Sequence, residues 1–95
     1  MKPHVRFEWD EAKRLSNLRR HGIDFAELAE VFATAPLTDP DDRFDYGENR
    51  FFTLGLLKGH VVAVVHTWTD DVVRVISARR ATRNEEIKYF RGIWN

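Results

Sequence analysis

Arg79 and Arg80 stand side by side in Ser77-Ala78-Arg79-Arg80-Ala81-Thr82, a segment that joins an apolar run to the start of a capped helix. A helix N-terminus carries unpaired backbone N–H groups and the positive end of the dipole, and so favours anions. Two guanidinium forks beside it match the oxygens of a phosphate. The plainer reading is a pair of surface arginines bridging Glu85 and Glu86. Tyr89 lies four residues after Glu85, so the two share a helix face.

The histidines are His4, His21, His60 and His66. None has HxH or i, i+4 spacing, and no acid pair completes a metal site, so no metal ligands are expected. His21 precedes Gly22 at the end of a helix, where an imidazole commonly satisfies terminal carbonyls. His66 lies in an aliphatic strand, where a histidine is more often packed than catalytic. Histidine nonetheless titrates nearest neutral pH of all side chains, which suits proton transfer. Trp9, Tyr46 and Trp68 have faces on which bases could stack, though each is ordinary packing material. Gly-rich phosphate loops, Ser-His-Asp sets and Cys-His pairs are all missing, so no cofactor is expected.

The elements that must carry these groups follow from periodicity. Val5 to Trp9 alternates as a short strand. Asp10 caps a helix from about Glu11 to His21, stopped by Gly22. Asp24 opens a second helix, with Glu27 completing a capping-box pattern and Ile23 and Leu28 a hydrophobic staple. Phe25, Leu28, Ala29 and Phe32 form its buried face, and Pro36 ends it. Residues 39–48 read as an exposed loop. Strands follow at about 50–57, 60–68 and 72–78, with Lys58-Gly59 a two-residue hairpin turn. Thr82 and Glu85 repeat the capping box at the last helix, which Ile87, Phe90 and Trp94 pack onto the sheet. The order β-α-α-β-β-β-α is an α+β fold, a mostly antiparallel sheet with two N-terminal helices and one C-terminal helix.

Sheet parity places the side chains. A two-residue turn at Lys58-Gly59 sets Leu57 opposite His60 and Phe51 opposite His66. One face then holds Phe51, Thr53, Gly55, Val62, Val64, His66 and Trp68. The other holds Phe52, Leu54, Leu56, Val61, Ala63, Val65 and Thr67; it is the larger aliphatic face and the expected core. His66 and Trp68 fall on the more accessible face. A two- or four-residue turn near Asp70-Asp71 would add Val73, Val75, Ser77 and Arg79 to that face, and a three-residue turn would bring in Arg74 instead.

Ninety-five residues make one domain, residues 1–95, with one sheet and a few helices. Charged residues are 32% and hydrophobic residues 43%, as in ordinary soluble proteins. The absence of cysteine removes disulfides and thiolate metal sites and fits a reducing cytosol. There is no apolar leader, and the longest aliphatic run, Val61 to Val65, is too short to cross a membrane, so a cytoplasmic location is expected. Net charge is zero, but it is unevenly spread. Residues 39–50 hold five acids against two arginines. Residues 72–95 hold six bases against Glu85 and Glu86, net +4. A local field of this kind matters more to an anionic ligand than the sum over the chain.

The chain resembles the BrnT toxins of type II toxin–antitoxin systems from about Phe7 to Tyr89. The resemblance rests on Phe7-Glu8-Trp9-Asp10, Asn17, His21-Gly22-Ile23 and Phe25. It continues through Glu48-Asn49-Arg50-Phe51, Gly55 and Val64-Val65-His66-Thr67. It ends with Arg74-Val75-Ile76-Ser77-Ala78-Arg79-Arg80-Ala81, Glu85 and Tyr89. It implies a fold like the RelE-type ribonucleases, RNA as substrate, cleavage without metal and arrest of translation. It also implies an antitoxin partner, BrnA, and contact with operator DNA only through that partner. The pair Arg79 and Arg80 matches the family motif best.

Metal-free RNA cleavage needs a base for the 2′-OH, cations for the phosphorane and an acid for the leaving 5′-oxygen. The expected assignment gives phosphorane stabilisation to Arg79 and Arg80. His66, His21, Glu85 and Tyr89 compete for the acid and base roles, and Arg50, Trp68 and Arg74 are expected to bind substrate. The rival is a non-catalytic module whose basic end docks an acidic partner. A helix-turn-helix reading fails because Asp24, Glu27 and Glu30 would repel phosphates.

Overall fold

Asp10 begins the first helix with a bond from Lys13 N to its carboxylate at 3.0 Å. A computed structural model describes residues 5–41 and 47–92. Strand β1 (Arg6–Trp9) leads into α1 (Glu11–His21), which Gly22 closes at φ 70°, a left-handed conformation that glycine adopts without strain. A single 3-10 turn, Phe25–Glu27, then precedes the short α2 (Ala29–Ala33). The second helix is thus broken where one continuous helix was expected. Asp24 does cap, accepting from Ala26 N at 2.9 Å, but Glu27 does not complete a box. Its carboxylate is drawn instead to Lys58 Nζ, 2.6 Å away.

Strands β2 (Leu37–Pro40), β3 (Phe51–Leu57), β4 (His60–Thr69) and β5 (Val72–Arg80) follow, then α3 (Arg83–Arg91). The sheet order is β1-β5-β4-β3-β2. β1 runs parallel to β5 and the other pairs are antiparallel, so the sheet is mixed. β2 lies where the sequence reads helix end and loop; Pro40 is tolerated there because β2 is an edge strand. Leu57 faces His60 and Phe51 faces His66, as the Lys58-Gly59 turn requires. Tyr46 and Trp94, expected to stack and to pack, lie outside the described residues, as do Asp42 and Asp45 of the acidic segment.

The larger core forms on the face opposite to the expected one. Phe25, Leu28 and Val31 pack on Val62, Val64, Val73 and Val75, all of them buried. The reason lies in the helices: the α1–α2 region brings large apolar side chains, whereas α3 buries none. Ile87 and Phe90 therefore stay exposed, Phe90 by 71%. On α3's side a smaller cluster joins Phe52, Leu54, Val61 and Ala63 with Leu37, Leu56 and Tyr89. Gly55 lets α2 lie against the sheet: a Cβ there would come within 2.6 Å of Val31 Cγ1 and 2.7 Å of its carbonyl oxygen.

One irregularity decides where the site residues go. Val65 pairs with Ser77, but His66 pairs with Val75, so Ile76 is an extra residue on β5. Such a bulge reverses the parity of everything beyond it. Val73 and Val75 share a face with His66, as a two-residue turn predicts, yet Arg79 does not.

Candidate active site

Arg79 pairs with Ala63 across the ladder and extends over the α3 face of the sheet. Its guanidinium lies 5.6 Å from the centre of the Phe52 ring. It grips Glu85 with both forks, Nη1 to Oε1 at 2.8 Å and Nη2 to Oε2 at 3.0 Å. Glu85 also closes the expected capping box, accepting from Thr82 N at 2.9 Å while its own N–H donates to Thr82 Oγ1. The Arg79 bonds, helped by Thr82, hold the Glu85 carboxyl below the usual carboxylate range against the opposing effect of burial. Both groups are thereby engaged in docking α3. Tyr89 packs into the same cluster beside them.

Arg80 pairs with Val62 and so reaches the opposite face. There it lines a cleft of about 180 Å³ together with His21, His60, Lys58 and Glu27, over a floor that includes Ile23, Leu57 and Val62. Each charged or titratable group arrives by a local rule. His21 is the last residue of α1 before the left-handed Gly22. Lys58 and Gly59, both at positive φ, form the tight turn that releases His60 at the start of β4. Arg80 is the last residue of β5. The cleft thus brings two exposed imidazoles to one arginine. Lys58 is tied to Glu27, and that bond raises its pKa.

His66 is wholly buried, contrary to the accessible position expected for it. Its Nδ1 donates to the Thr67 carbonyl at 3.0 Å, which leaves Nε2 to accept from Thr53 Oγ1 at 2.7 Å. Thr53 in turn accepts from Thr38 at 2.8 Å, linking β4, β3 and β2. Phe32, Phe51 and Trp68 surround the ring, with centroids 5.0, 6.0 and 5.8 Å away. Burial pushes its pKa down to about 4, so the ring is neutral and both its nitrogens are used. A buried ring with both nitrogens engaged does not fit the acid or base role expected of His66.

The expected substrate contacts scatter. Trp68 stands edge-on to Phe32 at 5.7 Å, packed against the core. Arg50 bonds Glu48 at 3.0 Å. Arg74 bonds Glu8 at 3.3 Å and lies five residues before Arg79, about 17 Å along the strand. Sequence pattern gives His60 and Lys58 no role in the site. The Lys58-Gly59 turn sets the Leu57–His60 register, but His21 reaches the same cleft only through the docking of α1 on β5, which no local signal gives. Among the described residues, no three His, Asp or Glu side chains converge on a common point.

Residues 9–85 match the family described as ribonuclease toxin, BrnT, of type II toxin–antitoxin system. The chain belongs to the BrnT family. The match spans both the Arg80 cleft and the Arg79–Glu85 pair, and stops short of Tyr89. A crystal structure of the Brucella abortus ribonuclease toxin BrnT superposes with a TM-score of 0.62 at 25% identity, covering 83% of this chain and 99% of that one. No curated protein matches significantly. Membership of a type II toxin–antitoxin family implies an antitoxin partner.

Proposed function

We propose that this BrnT family member is a metal-independent endoribonuclease whose reaction takes place in the His21–His60–Arg80 cleft. The observation that carries the reading is the meeting of two exposed imidazoles and an arginine in one concave site. One imidazole takes the 2′-OH proton, and the 2′-oxygen attacks the adjacent phosphorus. Arg80 stabilises the phosphorane with planar donors. The other imidazole gives its proton to the departing 5′-oxygen. The products are a 2′,3′-cyclic phosphate and a free 5′-hydroxyl. Arg79, Glu85 and Tyr89 then serve the docking of α3.

In this reading the toxin acts in the cytoplasm, arrests translation by cutting RNA and shares its ancestry with RelE-type ribonucleases. A BrnA-like antitoxin inhibits it and brings the complex to operator DNA. Exposed Phe90 and Ile87, flanked by Arg83, Lys88 and Arg91, support a partner seat on α3. Hydrogen exchange should slow across residues 74–91 when the antitoxin binds.

Incubation of purified protein with single-stranded RNA in EDTA tests the reaction. Cleavage with cyclic phosphate ends is expected. Activity that disappears in EDTA and returns with Mg²⁺ would overturn the metal-independent mechanism.

A further inference from the structure

The outer edge of β5 has a strand neighbour only as far as Val75, where pairing with β1 ends. Beyond that point α1 closes over the edge. Asn17 makes the seam: its Oδ1 accepts from Ala78 N at 3.1 Å and its Nδ2 donates to the Ile23 carbonyl at 3.0 Å. Beside this seam a groove of about 210 Å³ runs between Lys13, Ser16 and Arg20 of α1 and Ile76 and Ser77 of β5. Lys13, Ser16, Asn17 and Arg20 follow i, i+3, i+4, i+7 spacing, which puts them on one helix face.

The charges of this groove are uncommitted. Arg14, one residue after Lys13, is engaged by Glu11 and Asp24. Lys13 and Arg20 bridge no acid among the described residues, and both are exposed. The polar groups offered are two cations and two hydroxyls, since both ends of the Asn17 amide are already used. The volume admits a phosphate group with several waters, each needing about 10–15 Å³ of it. The groove also leads to the cleft: Arg20 adjoins His21, and Ser77 lies three residues before Arg80, about 10 Å along the strand.

We infer that the Lys13–Ser16–Arg20–Ser77 groove is a second phosphate seat, which holds the RNA backbone next to the nucleotide being cut. This rests on the ribonuclease reading of the cleft. The groove reads charge and not base, so it supplies affinity and register for long substrates and takes no part in the chemistry.

The test is the full-length double variant Lys13→Gln/Arg20→Gln. Arg6→Gln/Arg19→Gln, two exposed arginines outside the groove, the cleft and α3, is the control of equal charge. Binding is followed by anisotropy of a labelled 2′-O-methyl oligonucleotide about 12 nucleotides long, and cleavage is measured on a long RNA and on a dinucleotide. The groove variant should bind the oligonucleotide roughly tenfold more weakly, with the log–log salt slope reduced by about 0.7 for each phosphate left without its cation. KM on long RNA should rise with kcat unchanged, and dinucleotide cleavage should not change. Lys13→Arg/Arg20→Lys should restore binding. An equal loss in the control pair would overturn the inference, as would an intact Kd for the oligonucleotide. Loss of antitoxin affinity with RNA affinity preserved would assign the groove to an acidic protein segment instead. If the wild-type protein cleaves no RNA, the ribonuclease reading falls; if it cleaves and the groove variant binds normally, only the groove proposal falls.

Discussion

Arg79 and Arg80 are neighbours in sequence, yet they serve opposite faces of the sheet. Arg79 clamps Glu85 under α3, and Arg80 enters the cleft beside His21 and His60. One phosphorane cannot be shared between them, because successive strand residues point to opposite sides.

The two arginines should therefore fail differently when removed. Arg80→Ala is expected to lower RNA cleavage by roughly 10²–10³-fold, the usual loss when a donor to a developing oxyanion goes. Arg79→Ala should act on stability, by about 1 kcal/mol once solvent screening of this part-exposed pair is allowed for. Arg91→Ala, with the same charge change, should do neither. Cleavage rates and urea midpoints for the three variants check this; equal rate losses in all three would mean a diffuse basic patch.

The two imidazoles should each be needed for turnover. His21→Ala and His60→Ala are expected to lower kcat by roughly 10²–10⁴-fold. Because acid and base act in one step, the double variant should lose little more than the weaker single variant. Single-turnover cleavage rates decide the point, and unchanged rates in both single variants would remove the histidines from the chemistry.

His66 should make the fold sensitive to mild acid. Burial lowers its pKa from 6.5 to about 4 in the folded chain, so the unfolded chain binds the proton first. The stability from a neutral His66 is thus complete above about pH 6.5 and is lost as pH falls toward 4, by about 3 kcal/mol in all. Carboxylates with lowered pKa, such as Glu85 and Asp24, lose their contribution mainly below this window. Urea unfolding at pH 7.5 and 5 should show the loss in the wild type. A His66→Phe variant should show little of it, even though its stability at neutral pH is lower.

Gly55→Ala should destabilise by about 2–3 kcal/mol. Its new methyl would meet a backbone carbonyl of α2, which cannot rotate away as a side chain tip can. A shift of the thermal midpoint smaller than about 2 °C would show that α2 moves freely off the sheet.

Much of this arrangement was legible in the sequence. Asp10 and Gly22 bound α1, Thr82 and Glu85 cap α3, and Lys58-Gly59 fixes the β3–β4 register, because each is a local rule acting on neighbours. What failed was non-local. β2 is four residues containing a proline, and only its partner β3 makes it a strand. The β1–β5 pairing joins residues more than sixty apart in the chain. The bulge at Ile76 has no turn signature, yet it moved Arg79 to the other face. The buried side was misjudged because apolar counts on the strands do not reveal which helices cover them.

The Asn17 seam carries one further consequence, for synthesis of the chain. β1 finds its partner only in residues 72–75, and Asn17 finds its own in Ala78. A chain stalled before β5 on the ribosome therefore holds α1 and His21 without the strand that fixes them, and lacks Arg80 altogether. If the reaction takes place in the cleft as proposed, no fragment ending before β5 can cleave RNA. The cleft is complete only once the last strand has folded, which would separate the making of the polypeptide from the onset of its activity.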